Sequence, residues 1–214
     1  DFRADAGQGC TTSIDLRGMS ALVARDIEVR RGKALAVSGM DLTIESNQWF
    51  GLIGANGSGK TSFLRALAGR LPIEGGSITV HGKDLSNDRQ ARAASFGFAP
   101  PPDSLPNALR ADELIRLAGP SSNQSDPRWR SVFEALGIDE LRDRFIGNCS
   151  AGMKQRLALA CAFASGHDIV ILDEPLNWLD PVAAFDLNQA LRAMVDDGLI
   201  LITALHDLSV LARN

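Results

Sequence analysis

An α/β fold, with a mostly parallel sheet flanked by helices, is predicted by two features of this sequence. A glycine-rich stretch, Gly54-Ala55-Asn56-Gly57-Ser58-Gly59-Lys60-Thr61, lies between an apolar run of strand length and a helical pattern. In the last third of the chain, the apolar runs 169–172 and 199–203 enclose a helical pattern over residues 182–195. Strands that alternate with helices in this way are typical of a parallel sheet.

The glycine-rich stretch fits the pattern G-x-x-x-x-G-K-S/T and predicts a nucleoside triphosphate site. Its glycines let successive N–H groups point at one anion, and the start of the following helix adds partial positive charge. Lys60 would reach the β- and γ-phosphates, and the Thr61 hydroxyl would hold Mg²⁺. The alternative, an ordinary glycine turn before a helix, is disfavoured by the correct flanks. The predicted nucleotide-binding residues of this segment are Gly54, Asn56, Gly57, Ser58, Gly59, Lys60, Thr61 and Ser62.

Composition excludes several other classes of protein. The chain has 214 residues, 45% of them hydrophobic, which is enough for one sizeable core and a smaller lobe. A net charge of −4 gives no general attraction to nucleic acid, so no direct nucleic-acid partner is expected. Three scattered cysteines without C-x-x-C spacing suggest reduced thiols in the cytoplasm. No apolar run approaches the roughly 18 residues of a membrane span, so we expect membrane contact only through a partner.

The chain divides into a short N-terminal segment and one long domain. Residues 1–18 are polar and lack periodicity, and Met19 resembles a natural start, so we interpret 1–18 as a tail or leader and 19–214 as the domain. Two β-rich runs separated by a turn, 22–30 and 34–44, predict antiparallel β structure. A short strand is predicted at 96–99. After it, apolar residues recur at helical spacing in 109–118, 129–136 and 151–164. These patterns predict a helical lobe at about 103–165, inserted in the α/β core.

Two adjacent acids follow the apolar run 169–172. Asp173 ends a predicted buried strand, which is how nucleotide-hydrolysing enzymes place an aspartate near the metal. Glu174 comes next and could polarise a water for attack on the γ-phosphate. The alternative is a pair of solvated charges at the end of a strand. The glycine-rich loop upstream, at ordinary domain spacing, favours the catalytic interpretation.

The glycine-rich loop, the acidic pair and a later histidine, His206, together resemble the ATP-binding subunits of ABC transporters, from about Leu22 to the end of the chain. The resemblance implies a P-loop NTPase core with an N-terminal antiparallel β part and an inserted helical lobe. It also implies that ATP and Mg²⁺ bind, and that Lys60, Glu174 and His206 act in catalysis, with His206 touching the γ-phosphate.

The family's signature, Leu-Ser-Gly-Gly-Gln at the start of a helix, is only partly kept. The matching stretch is Cys149-Ser150-Ala151-Gly152-Met153, in which Ser150 and Gly152 agree. In the family these residues bind the γ-phosphate held by the opposite subunit, and the aspartate matching Asp180 contacts that subunit. A simpler interpretation of Ser150 is a helix cap, which is compatible with phosphate binding.

Two further positions depart from the family pattern. Pro101 stands where the family has a glutamine, so the glutamine's role toward Mg²⁺ or water is lost or moved, with Asp103 as the nearby acid. The chain contains no tyrosine, and the turn after the first strand offers Arg30, Arg31 and Gly32 where the family commonly stacks an aromatic residue on adenine. An arginine plane could replace that ring.

The resemblance implies an ATP-hydrolysing subunit that powers transport through separate integral membrane subunits. Two copies would pair head to tail around ATP, peripheral to the cytoplasmic face of the membrane. The compact chain, which ends soon after His206 without an extra regulatory domain, resembles small exporter-type subunits such as haem-exporter ATPases. Two alternatives remain open: a soluble ABC-type ATPase in translation or DNA repair, and a slow ATP-binding regulatory module.

Overall fold

The computed structural model of the protein describes residues 20–119 and 127–205. The strands are β1 (Leu22–Arg31), β2 (Ala34–Ile44), β3 (Trp49–Ile53), β4 (Gly75–Val80), β5 (Lys83–Asp84), β6 (Gly97–Phe98), β7 (Ile169–Asp173) and β8 (Ile200–Leu205). The α-helices are α1 (Lys60–Leu67), α2 (Arg89–Ala93), α3 (Ala111–Ala118), α4 (Pro127–Ala135), α5 (Ala151–Ala164) and α6 (Pro181–Asp196). Single turns of 3₁₀ helix lie at Pro102–Ser104, Ile138–Glu140 and Ile146–Asn148.

The predicted antiparallel β part is present as a four-stranded sheet in the order β2-β1-β4-β5. Strand β1 is central, because Leu22 pairs with Ile44 of β2 on one side and with Val80 of β4 on the other. A tight turn joins β1 to β2. In this turn Gly32 has φ +61°, a conformation that glycine adopts without steric cost.

The second sheet is parallel throughout, in the order β3-β8-β7-β6. Its strand β7 is buried on both faces, which explains the uninterrupted apolar run at 169–172. Alternate residues of β7 enter different cores: Ile169 and Ile171 pack with α1 and the antiparallel sheet, whereas Val170 and Leu172 pack with the helices from α3 onward. The α/β prediction with a mostly parallel sheet is therefore confirmed.

Parallel pairing brings the carboxyl ends of the strands to one edge of this sheet. Ile53 at the end of β3 pairs with Leu205 of β8, and Asp173 at the end of β7 pairs with Ala204 of β8. The segments that leave β3 and β7 therefore start side by side, with β8 between them.

Between β6 and β7 the regular elements of the described residues are helices, and the extent of the helical lobe at about 103–165 stays a prediction. Helix α5 is its central element, with a buried run from Leu157 to Ala164. Arg142 ties the surrounding turns together, because its guanidinium donates to Asp112 at 3.0 Å and to Asp139 at 2.7 Å. The hydrogen bond that Arg142 donates to Asp139 also raises the pKa of Arg142.

Two elements are shorter than the sequence predicts. The helix expected from Leu109 begins at Ala111, because Arg110 is extended and bridges Phe145, and the Glu113 carboxylate accepts from the Arg110 N–H at 2.7 Å. The strand expected over 96–99 covers only Gly97–Phe98. Three prolines follow, from Pro100 to Pro102, and a proline cannot donate to a ladder.

In the part of the chain that the structure describes, no helix is both long and apolar enough to cross a membrane. Cys149 and Cys161 are free thiols, and burial raises the pKa of the Cys161 thiol to about 12. The predicted tail at 1–18 and residues 120–126 between α3 and α4 lie outside the described residues.

The leucines Leu157 on α5 and Leu117 on α3 form a matched pair for testing the placement of the helices. Leu157 is fully buried, whereas Leu117 is 75% exposed. We expect Leu157→Ala to lower the free energy of unfolding by about 2–5 kcal/mol, because it leaves a cavity. Leu117→Ala should change it by less than about 0.5 kcal/mol. Urea denaturation measures both, and equal losses would contradict the burial of α5.

Candidate nucleotide site

The loop between β3 and α1 requires glycine at Gly59 and favours it at Gly57. Gly59, just before α1, has φ +96°, and a Cβ there would lie 2.2 Å from the carbonyl oxygen of Ala36 on β2. Gly57 has φ +79°, a conformation that residues with side chains rarely adopt. The glycines of the motif therefore serve both the curl of the loop and its close contact with the antiparallel sheet.

Lys60 is the first residue of α1 and only 8% of its side chain surface is exposed. Its Nζ donates to the carbonyl oxygens of Gly54 at 2.5 Å and Ala55 at 3.0 Å, so the loop curls around the ammonium. The positive charge lies beside the N-terminus of α1, where the unpaired N–H groups of the first turn also favour an anion.

A cleft of about 200 Å³ opens over this loop, and Glu174 forms part of its wall. Glu174 comes from the end of β7, two strands away from the loop, and its N–H donates to the carbonyl of Ala204 on the intervening β8 at 3.1 Å. The residues lining the cleft are Ala36, Asn56, Gly57, Ser58, Gly59, Lys60, Thr61, Ser62 and Glu174. Sequence reasoning did not anticipate Ala36, because nothing local in β2 indicates contact with a loop 20 residues later.

Asp173 is beside the cleft and has the properties of a metal ligand. Burial raises the pKa of its carboxyl group, the hydrogen bond from Thr61 opposes that rise, and the neighbouring charge of Glu174 adds to it. Its Oδ1 is buried and has no hydrogen-bond partner among the described residues. A buried carboxylate oxygen beside a hydroxyl is a donor set that suits Mg²⁺. Thr61 and Asp173 could thus hold the predicted cation.

The segment from Glu174 to Asp180 folds into a compact loop. Asn177 Nδ2 donates to Glu174 Oε2 at 2.5 Å, a contact that the sequence analysis missed. Asp180 caps α6, because its Oδ1 accepts from the N–H groups of Val182 at 3.1 Å and Ala183 at 3.0 Å. The Ala183 hydrogen bond is also the main cause that lowers the pKa of Asp180.

The start of α5, which carries Ser150 and Gly152, lies against that loop and is not part of the described cleft wall. Ser150 caps the helix, with its Oγ accepting from the N–H of Met153 at 3.3 Å. Gly152 faces the carbonyl of Trp178, which a Cβ would approach to 2.8 Å. Arg156 then pairs with Asp180 at 3.0 Å. These residues form a second group, separate from the phosphate loop within one chain.

Two other positions named in the sequence analysis, Pro101 and Asp103, do not join the described part of the cleft. His206 lies outside the described residues. Pro101 and Asp103 are exposed and are absent from the described wall of the cleft. Trp178, which the sequence analysis did not consider, is 75% exposed and has φ +66°.

Comparisons with known proteins agree with this site. A family described as "ABC transporter" matches residues 37–177. A putative ABC transporter ATP-binding protein of Halobacterium salinarum is 32% identical, over 87% of this chain and 83% of that protein. The Nod factor export ATP-binding protein I of Burkholderia lata is 30% identical, over 85% of this chain but only 61% of that protein's length, so the chain spans about three fifths of that relative.

A solved structure gives the same result for the fold. A dimeric ATP-binding cassette bound to ADP and Pi superimposes with a TM-score of 0.76 at 19% identity, over 88% of this chain and 89% of that one. The P-loop NTPase core predicted from the sequence is therefore confirmed. Because the family match spans the phosphate loop, the start of α5 and the acidic pair, the chain belongs to the ABC transporter family.

Proposed function

We propose that this chain is an ATP-binding and ATP-hydrolysing subunit that powers transport through separate integral membrane subunits. The observation that carries the proposal is the cleft of about 200 Å³ in which the phosphate-type loop, Lys60 and Glu174 face the same space. A loop of this kind binds phosphate, and a carboxylate opposite it provides a base for hydrolysis.

Binding of the triphosphate would use the loop and Lys60. The N–H groups of the loop and of the first turn of α1 supply neutral donors, and the ammonium of Lys60 supplies a full charge. Lys60 now donates to the carbonyls of Gly54 and Ala55, so it is held within the loop and already desolvated. Thr61 and Asp173 would hold Mg²⁺, which supplies charge neutralisation at the phosphates when bound.

Hydrolysis would use Glu174 as a general base. Its carboxylate would orient the attacking water and accept a proton at a carboxylate oxygen. The half-buried Asp173 would not serve in that role, because it bonds Thr61 beside the proposed cation. Two adjacent acids thereby take different roles through their surroundings. His206 is proposed to contact the γ-phosphate on the basis of the family resemblance alone.

The second group, Ser150, Gly152 and Asp180, supports a head-to-tail homodimer. Ser150 lies at the N-terminus of the 14-residue helix α5, which is a favourable place for an anion, but it does not line the cleft of its own chain. A second copy could place its Ser150 and Gly152 over this cleft. The similar ADP-bound cassette is dimeric, which supports a homodimer as such.

A larger cavity, of about 700 Å³, supports docking of membrane subunits on the helical side of the molecule. Leu117 on its wall is 75% exposed, and Arg65 and Arg70 add positive charge. An exposed apolar side chain with basic neighbours suits a partner segment that is apolar and acidic. Because the Burkholderia relative is named for export, we propose an export system at the cytoplasmic face of the membrane.

Lys60→Ala tests the phosphate site. Hydrogen bonds to charged groups are worth about 1.5–3 kcal/mol, so we expect the Kd for Mg-ATP to rise about tenfold to a hundredfold. Lys83→Ala, which removes an exposed lysine on β5, is the matched control and should bind ATP as the parent does. Isothermal calorimetry measures both, and an unchanged affinity in Lys60→Ala would refute the assignment of the loop.

The missing aromatic residue predicts weak selection of the base. A stacking platform can contribute about 1–3 kcal/mol per base, and the β1–β2 turn offers only exposed arginines near Gly32. Most of the affinity should therefore come from the triphosphate, and the Kd values of ATP and GTP should differ by less than about a hundredfold. Competition binding with both nucleotides checks this, and a larger ratio would show a specific adenine site.

Glu174→Gln tests hydrolysis and dimerisation together. The variant keeps the shape of the side chain but loses the proton-accepting charge, so we expect turnover to fall by about 10²–10⁴-fold while ATP still binds. Because hydrolysis opens the paired state, the variant should accumulate as a dimer in Mg-ATP and return to monomer with ADP.

Size-exclusion chromatography with light scattering reads out the dimer. Glu140→Gln, at an exposed position in the 3₁₀ turn Ile138–Glu140, is the control and should hydrolyse at the parental rate. A Glu174→Gln protein that stays monomeric in saturating Mg-ATP would argue against the head-to-tail pair. A Glu174→Gln protein that turns over like the parent would argue against the general base.

A further inference from the structure

The main chain that carries Glu174 is held from two sides. Glu174 has φ +52°, and the N–H of Asn177 closes a turn by donating to the Glu174 carbonyl at 3.2 Å. The buried side chain of Gln155 supplies the second contact, since its Nε2 donates to the carbonyls of Glu174 at 3.5 Å and of Pro175 at 3.3 Å. The backbone therefore sets the direction in which the carboxylate leaves the loop.

The carboxylate itself is held by Asn177. Asn177 Nδ2 donates to Glu174 Oε2 at 2.5 Å. An ionised carboxylate only accepts hydrogen bonds, so the nitrogen of the amide is the group that must face it. A hydrogen bond to an ionised acceptor is stronger than one between neutral groups. Because the amide carries no charge, it can orient the carboxylate without forming an ion pair with it.

We propose that Asn177 is a positioning residue for ATP hydrolysis, which keeps the Glu174 carboxylate directed at the phosphate cleft. The inference rests on the proposed function, because it concerns the water that Glu174 would activate. Glu174 lines the cleft, whereas Asn177 is exposed and is absent from the described part of the cleft wall. In this proposal Asn177 acts through Glu174 and not from the described cleft wall.

Asn177→Asp is the sharpest test, because it keeps the size of the side chain and turns the donor into a charge that repels Glu174. Misplacing a reacting group by about 1 Å can cost about a hundredfold in rate, so we expect kcat to fall about tenfold to a hundredfold. The KM and the Kd for Mg-ATP should stay within about twofold of the parent, as expected for an interaction that acts in the chemical step. Asn47→Asp adds the same charge at an exposed asparagine between β2 and β3, and should leave both constants unchanged.

A second measurement needs neither turnover nor nucleotide. In protein labelled with ¹⁵N-asparagine, the side-chain amide signals of Asn177 report the hydrogen bond to Glu174 directly. We expect Glu174→Gln to shift these signals, because the charge on the acceptor is lost, and Asn47→Asp to leave them in place. Circular dichroism of each variant checks that the fold is intact.

Several outcomes would overturn the inference. One is an Asn177→Asp protein that turns over like Asn47→Asp, and another is a set of Asn177 amide signals that ignore Glu174→Gln. A raised KM with unchanged kcat would instead place Asn177 at the nucleotide. In each of these cases the proposed function stands as long as Glu174→Gln abolishes hydrolysis. Parental turnover in Glu174→Gln would overturn the proposed function and this inference with it.

Discussion

The parallel hydrogen bonding of β8 to both β3 and β7 is the constraint on which the site depends. Pairing of Ile53 with Leu205 and of Asp173 with Ala204 brings β3 and β7 to nearly the same height at one edge. Neighbouring strands lie about 4.8 Å apart, so the main chains of β3 and β7 are about 10 Å apart, a distance that side chains of the loop and the acids can bridge. A slip of one residue would turn the Asp173 side chain to the opposite face and remove its contact with Thr61.

The antiparallel sheet also shapes the site, through the contact of its main chain with the phosphate loop. The carbonyl of Ala36 lies against Gly59 so closely that a methyl group would not fit. Helix α1 connects the two sheets, since Phe63 and Leu64 pack in the same core as residues of β1 and β7. The loop is therefore enclosed between two sheets, and its geometry depends on packing far from the eight residues of the motif.

The features that could be predicted from the sequence are those that a short run of consecutive residues determines. The loop and the acidic pair are runs of consecutive residues, and the parallel sheet follows from alternation of strand and helix patterns. Contacts between distant segments could not be predicted in this way. The contact of Ala36 with Gly59, and the closeness of Arg65 to the charge of Asp173, both depend on tertiary packing. The hydrogen bond between Asn177 and Glu174 is local, but it forms in a loop where Glu174 has a left-handed backbone that the residue types do not indicate. The start of α3 was misjudged for the same reason, because a bridge to Phe145 holds Arg110 extended.

The loop after β7 contains two residues with side chains, Glu174 and Trp178, in the left-handed backbone region. Such conformations cost about 1–3 kcal/mol each, and a whole domain is stable by only about 5–15 kcal/mol. The fold therefore gives up a measurable part of its stability at the place where its chemistry is expected. The simplest way to raise the thermal stability of the protein would be to replace Trp178 with glycine, which relieves the backbone strain at that position. Glycine at Glu174 would also relieve strain, but it would remove the proposed base. The stability lost to the backbone conformation of Glu174 therefore cannot be regained without loss of function.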